Sequence, residues 1–594
     1  MNQPQIQTYT LKFIFVLNLV VIGLILSCGK NSSQEYRSTN ILKYVETDKA
    51  GYGIGEPVKY RLEFNEPVQG KTLRIGYYHE GQRIAETIII PENTEFVEWT
   101  WHLPGKDYAG YLTEILLEKN HHIIDRMNIG VDVSSAWNTY PRYGFLSKYS
   151  QLSEDEIYKV IRKLNRYHIN GIQFYDWHHE HHDPLKGTAK SPKKTWLDIA
   201  NRTIYFTTIE KYIDESHRRN MKTMAYNLLY GAWSSGFDEG VKPQWCVYRD
   251  SSHEVSFFLN MPDGWADDIY FMNPANQDWR NYIFSNTAKV FQALDFDGWH
   301  VDQIGNIDTL FTYDGNPLIL KSTYNQFLKE AQNYLNVKLV MNAVAQYGQE
   351  EIARAPVEFL YTEVWNPDST FDDLAAILSR NKSLSGKFNT ILAAYMNYEN
   401  SSNPGKFNTP GILLTDAVIF AHGGAHLELG EHMLCHEYFP NSNLSMDPDL
   451  EAALIDYYDF FVAYQTLLRS PELKSGTMEI SSDQYELNNI SKQGTIWTVC
   501  RHLENKEVIH LINLLNVANL NWRDPYGNRP EPVLQENIRL QFTGSRKILS
   551  ITMASPDYLH GSPVSIDFKQ KDGITSLNIP TLKYWNMLIV EYEN

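Results

Sequence analysis

Between residues 36 and 134, apolar side chains fall on alternate positions. Val58, Tyr60, Leu62 and Phe64 form one such set, Leu73, Ile75 and Tyr77 a second, and Val97, Trp99 and Trp101 a third, with the turn signals NEP, PEN and PGK between them. A period of two broken by turns predicts antiparallel strands around one core, so 36–136 is expected to be an immunoglobulin-like β-sandwich. From about residue 138 the period changes. Ile157, Val160, Ile161 and Leu164 share one face of a helix, and Ser153 with Glu156 stands at capping-box spacing before it. Eight apolar runs follow, at 171–177, 221–227, 269–273, 296–302, 337–343, 359–365, 390–396 and 417–423, with helical patterns at 208–219, 279–294 and 322–335 between several of them. Strands alternating with helices predict a (β/α)8 TIM barrel over 137–470. A doubly wound open sheet is the alternative, but no glycine-rich phosphate turn follows the first strand. After about residue 471 the helices stop, and GTIWTVCRH, VIHLINLLN, KILSITMAS and YWNMLIVEYE predict a C-terminal antiparallel β-sandwich over 471–594. The fold class expected is therefore multidomain, a central barrel flanked by two β-sandwiches.

The amino terminus reads differently. Phe13 to Leu26 is an apolar run too short for a comfortable span, and it ends at Ser27 and Cys28. This predicts a lipoprotein signal peptide over 1–27, lipidation at Cys28 and a tether over 28–35, which places the protein in the cell envelope, anchored to the outer membrane. An ordinary secretory signal with an incidental cysteine is the alternative. The other cysteines, Cys246, Cys435 and Cys500, are too widely spaced for a disulfide framework or a metal knuckle. A net charge of -18 argues against nucleic acid as a partner, whereas 14 Trp and 38 Tyr suit a site that stacks on sugar faces.

The candidate chemistry lies in two of the runs. In FDGWHVDQIG, strand parity puts Gly298, His300 and Asp302 on one face and Asp297 at the strand's start on the other, so Asp302 is the carboxylate at the carboxyl end. In FLYTEVWNP, Tyr361, Glu363 and Trp365 share a face, which brings Glu363 to the same end. Such a pair suits retaining glycoside hydrolysis, with Asp302 ionised and Glu363 protonated in a less polar setting between Tyr361 and Trp365. A lone strand-end aspartate that only caps a helix is the bland reading, and the second carboxylate is what displaces it. The HHEHHD run (178–183) lacks the HExxH spacing of zinc ligands and reads as a loop; no metal and no cofactor is expected.

These stretches, together with TDKAGYGIGEPV (47–58), PRYGFLS (141–147) and GIQFYDWHHEHHDP (171–184), resemble glycoside hydrolase family 66, the dextranases and cycloisomaltooligosaccharide glucanotransferases. The resemblance implies a retaining mechanism on α-1,6-linked glucan (dextran, isomaltooligosaccharides), with Asp302 as nucleophile and Glu363 as acid/base. It also implies that cyclising members carry a carbohydrate-binding insertion late in the barrel, for which this chain has no room after Glu363. An endo-acting dextranase is the function expected. The alternatives are a glucanotransferase forming cyclic or longer products and a non-catalytic glycan-binding surface lipoprotein. Polar and aromatic residues at the other strand ends are expected to bind the glucan: Asp176, Trp177, His178, Tyr226, Asn227, Asn342, Trp365, Asn397, His422 and Glu428.

Overall fold

The computed structural model describes residues 40–92, 95–476 and 478–593. The expectations for 1–27 and the lipidated Cys28 lie outside the described residues. No helix among the described residues is long and apolar enough to cross a membrane.

The first unit is two antiparallel sheets. Strands 42–47, 57–64 and 96–102 form one, and strands 72–79, 82–89, 109–119 and 122–133 the other. The alternating set Val58, Tyr60, Leu62 and Phe64 is buried, and with Leu73, Ile75, Tyr77, Val97, Trp99 and Trp101 it joins a single cluster drawn from both sheets. Stacked rings tie them: Tyr60 on Trp99 at 4.7 Å and Tyr77 on Trp101 at 4.2 Å.

The middle of the chain alternates strands with helices, with short extra strands in several of the connections. Its elements are β1 (Tyr143–Leu146), α1 (Glu154–Arg166), β2 (Gly171–Phe174), α2 (Phe206–Arg218), β3 (Lys222–Leu228), α3 (Gln277–Ala293), β4 (Gly298–Asp302), α4 (Tyr324–Leu335), β5 (Lys338–Met341), α5 (Gln349–Ala353), β6 (Tyr361–Glu363), α6 (Phe371–Ser385), β7 (Ile391–Ala393), α7 (Thr409–Ala421), β8 (Ala425–His426) and α8 (Pro448–Ala463). The capping box on α1 is present as the spacing predicts. All strand pairings among β1 to β8 are parallel. They form a five-stranded sheet, β5-β4-β3-β2-β1, and a three-stranded sheet, β6-β7-β8. The two sheets do not run on as one ladder but meet through single bridges, Asn342 with Tyr361 and Phe145 with Gly430. Between them lies an aromatic layer. His300 of β4 stacks on Tyr143 of β1 at 5.8 Å and on Tyr226 of β3 at 6.2 Å, and meets Tyr361 of β6 edge-on at 4.9 Å.

Two of the eight expected strands are corrected. Residues 269–273 supply a strand, but it pairs antiparallel with 231–233 and 258–259 in an excursion between β3 and α3. Residues 417–421 belong to α7 and His422 caps it, while Asn408 caps its start and Pro410 opens it; every residue from Gly411 to Ala421 is buried, so neither a 2.0 nor a 3.6 period marks the run. The strands that take their places are β1, in PRYGFLS, and the short β8.

Helix α8 lies across the N-terminal unit so closely that a Cβ on Gly110 or Gly130 would overlap its backbone carbonyls, Val462 and Asp459 respectively. At this contact Asp459 accepts from Arg166 at 2.7 and 2.9 Å, from His168 at 2.7 Å and from the Gly130 N–H at 2.9 Å. The C-terminal unit comprises a larger sheet that includes 496–503, 506–513, 585–592 and 548–554, and a four-stranded sheet of 479–481, 535–543, 574–582 and 568–571, with one cluster of buried side chains between them. Trp497, Val508 and Trp585 of the larger sheet belong to the same core cluster as β1 and α8.

Candidate active site

Strand β4 ends at Asp302 and β6 at Glu363, both half-buried. The Asp302 carboxylate accepts from Tyr226 Oη at 2.8 Å on Oδ2 and from Asn342 Nδ2 at 2.9 Å on Oδ1. The Glu363 carboxylate accepts from Trp365 Nε1 at 3.0 Å and from Tyr395 Oη at 2.7 Å. Asn342, just past β5, joins the two acids: its amide nitrogen serves Asp302 while its oxygen accepts the Glu363 backbone N–H at 3.3 Å. Five strands, β3 to β7, thus hold the two carboxylates and their separate donors at or just past their ends. Asp297, at the other end of β4, is instead occupied by His217, Lys222 and the Thr223 N–H, a structural role in keeping with its parity.

Burial raises both carboxyls. For Glu363 the charge of Asp302 adds to burial and outweighs the Trp365 and Tyr395 hydrogen bonds, lifting it to about 7. Asp302 is also raised by burial, against the opposing pull of Tyr226, the Gln303 backbone and Asn342. Trp365 therefore acts on Glu363 opposite to the sequence expectation, because its N–H stabilises the ionised form. At neutral pH Glu363 stands poised between acid and base.

Of the residues expected to bind substrate, the structure brings some to this pair and not others. Tyr226, Asn342 and Trp365 touch the carboxylates directly. Asp176 is buried in the left-handed region (φ 46) and raised to about 7, by burial first, with Asp198 and Asp302 adding to it against Arg202. His178 is fully buried, its ring 4.5 Å from that of His181 and 6.1 Å from that of Tyr226. The remaining residues have other partners. Trp177 is core, packed on Phe296 and donating to the Tyr226 carbonyl at 3.1 Å. Asn227 points to the opposite face from Tyr226 and donates to the His181 carbonyl at 2.8 Å. Asn397 is fully buried and ties down a loop of the C-terminal unit, donating to the Asp524 carbonyl at 2.7 Å. His422 follows α7, with Nδ1 on the Val418 carbonyl at 2.8 Å and its ring against Trp497.

Glu428 is buried between β8 and α8, accepting from Tyr458 Oη at 2.9 Å. With Asp416 and His426 it forms one of two groups of potential metal ligands among the described residues; Glu180, His182 and Glu239 form the other. His426 Nε2 donates to the Ala394 carbonyl at 2.9 Å and its Nδ1 lies 2.8 Å from Asp416; burial raises both Asp416 and Glu428, the latter to about 8 with the Asp416 charge adding to it. His182 Nδ1 accepts the Trp233 N–H at 3.3 Å, so its proton sits on Nε2, 3.1 Å from both Glu180 and Glu239.

Sequence reasoning missed Tyr395, Tyr175 and the loop after β8. Tyr175 packs against Tyr226 at 4.8 Å and Phe439 at 4.3 Å, and Tyr398 donates to Glu437 at 2.8 Å. Parity would have found Tyr395, two residues past Ala393 on β7; the loop residues carry no periodic signal.

Paired carboxylates at the carboxyl ends of parallel strands, one held as an acid, are the groups of a glycoside hydrolase. Comparison with known proteins gives the family. The chain belongs to glycosyl hydrolase family 66, whose model matches residues 47–589. It is similar to a cycloisomaltooligosaccharide glucanotransferase of Niallia circulans, at 24% identity over 93% of this chain and 72% of the relative. It is also similar to a dextranase of Streptococcus salivarius, at 23% identity over 81% of this chain and 67% of the relative. The crystal structure of a Paenibacillus sp. cycloisomaltooligosaccharide glucanotransferase complexed with cycloisomaltoheptaose superposes with a TM-score of 0.86, at 25% identity over 92% of this chain and 99% of that one.

Proposed function

We propose that the protein is a retaining, endo-acting dextranase that cuts internal α-1,6 bonds of dextran into isomaltooligosaccharides. The observation that carries this is the Asn342 carboxamide, which holds together a hydrogen-bonded aspartate and a glutamate lifted to about 7. In this reading β1 to β8 form a (β/α)8 barrel between β-sandwiches at 36–136 and 471–594. Asp302 attacks the anomeric carbon to give a covalent glycosyl-enzyme while Glu363 protonates the departing glycosidic oxygen. Glu363 then takes the proton from the water that releases the sugar, so the anomeric configuration is kept. Tyr226 and Asn342 favour the ionised form of Asp302 against its burial, and Asp176, His178 and Trp365 meet the glucan.

Hydrolysis is favoured because the chain between Glu363 and β8 holds only α6, β7, α7 and the links 364–370, 386–390, 394–408 and 422–424. The alignment with the glucanotransferase runs to 707 positions, longer than this chain, so the relative carries residues that have no counterpart here. A second reading, transfer to cyclic or longer products, is favoured by the likeness to two glucanotransferases. A time course on dextran tests both. Rapid loss of polymer length with α-anomeric linear products is the result expected; cyclic products establish transfer, and no cleavage overturns the enzymatic reading. We also propose a lipid anchor at Cys28 in the outer membrane, supported by the run ending ILSC. Labelled fatty acid should enter the chain, and a Cys28→Ser chain that still takes it up would sink the anchor.

A further inference from the structure

The loop 516–530 of the C-terminal unit reaches the residues that carry Glu363. Trp522, fully buried, donates through Nε1 to the Asp368 carbonyl at 2.9 Å and through its backbone N–H to the Ser369 carbonyl at 3.2 Å. On the far side, the Asn397 N–H donates to the Arg523 carbonyl at 3.0 Å and the Glu399 N–H to the Pro525 carbonyl at 3.1 Å. Between these anchors the Arg523 guanidinium donates to the Val364 carbonyl at 2.8 Å and lies 5.0 Å from the Trp365 ring and 5.2 Å from the Tyr398 ring. Both rings lie within the range of cation–π attraction. Trp365 is the residue whose indole N–H meets Glu363 Oε2.

We infer that Arg523 is a positioning residue for catalysis, supplied by the C-terminal unit, which fixes the Trp365 indole so that its N–H is delivered to the Glu363 carboxylate. The inference rests on Glu363 as acid/base. The Trp365 indole is half-buried, with the Tyr395 and Tyr398 rings 5.5 and 5.8 Å from it, and its N–H has one acceptor, Glu363. Arg523 restrains it twice, by the ring contact and by a bond to the backbone one residue away. Lysine offers charge without the planar fork, so it does not replace both contacts. The other titratable and charged groups facing Glu363 are Asp302 on β4, Tyr361 on β6, Tyr395 after β7 and Glu437 after β8, with Tyr175 after β2. None of them contacts the indole N–H.

The test compares the native chain with Arg523→Gln, Arg523→Lys, Trp365→Phe and the Gln/Phe double variant. Arg523→Gln is expected to lower kcat on dextran about 10- to 100-fold with KM changed less than about threefold, and to move the alkaline limb of kcat/KM upward, as Trp365→Phe does. Arg523→Lys recovers only part of this. In the double variant the Arg523 effect shrinks toward nothing, because the arginine acts through the indole. An unchanged limb in Arg523→Gln, or effects that simply add in the double variant, overturns the inference. The pH dependence of Tm, taken as each chain minus its Glu363→Gln counterpart, reports the same Glu363 ionisation without turnover. A native chain inert on dextran therefore refutes the enzyme while leaving the Arg523–Trp365 coupling measurable.

Discussion

Asn342 gives to Asp302 and takes from the Glu363 backbone, so one carboxamide sets where two acids stand. Asp302→Asn and Glu363→Gln are each expected to lower kcat on dextran by about 10³-fold or more, with the circular dichroism spectrum unchanged. Near-normal turnover in either variant would discard the pair. Glu363 must carry its proton to protonate the leaving oxygen, and burial with the Asp302 charge holds it to about 7, so kcat/KM should fall as pH rises past about 7. Trp365→Phe removes a donor that favours the ionised form and should shift that limb to higher pH; a downward shift contradicts the assignment. The same displacement has a cost in stability. An acid whose folded pKa lies above its unfolded value destabilises the fold as pH rises between the two. Glu363→Gln is therefore expected to raise Tm by about 2–4 °C above pH 7 and to leave it unchanged below pH 4, read by calorimetry.

At the scale of elements, the contact of α8 with α1 and the N-terminal sheet hangs on Asp459. Burial opposes its charge, but Arg166 and His168 more than offset this and hold it below the usual carboxylate range. That sign gives stability present above the ordinary carboxylate pKa and lost as pH falls through the lower folded value. Asp459→Asn leaves Arg166 buried without its partner and is expected to cost about 3–5 kcal/mol in denaturant unfolding near neutral pH. A loss under about 1 kcal/mol would mean that the contact is held by packing alone. Elements with one wet face were legible in the sequence, and so were short apolar runs such as Gly171–Phe174 that are buried throughout. Alternation marked Val58 to Phe64, the cap at Ser153 marked α1, and parity separated Asp302 from Asp297. Two elements that escaped this reading are dry on every side. The run through 417–423 has no polar face to betray a helix, and Tyr143 to Leu146 is four buried residues. The site residues divide in the same way. A strand end told which residues stand near the mouth, but Tyr226 and Asn227 differ only in parity, and the burial of Asn397 depends on a loop more than a hundred residues further along the chain.

Across the whole molecule, the core does not respect the boundary at residue 471. Trp497 and Trp585 lie in one cluster with Phe460, Leu467 and the strands of the middle unit. Residues 40–470 made alone should expose this apolar face, bind a hydrophobic dye and lack a cooperative transition, while 40–594 melts with these two units as one. A soluble, cooperatively melting 40–470 would contradict the shared core. The parallel strands carry a different kind of division. Asp302 stands on the five-stranded sheet and Glu363 on the three-stranded one, and next to the acids the Asn342–Tyr361 bridge, the Asn342 side chain and the His300–Tyr361 ring contact cross between the two. The arrangement is that of pliers: the nucleophile rides in one jaw, the acid in the other, and Asn342 is the rivet. A load on the protein that works the rivet loose alters the gap between the acids before it disturbs the donors that each jaw supplies to its own.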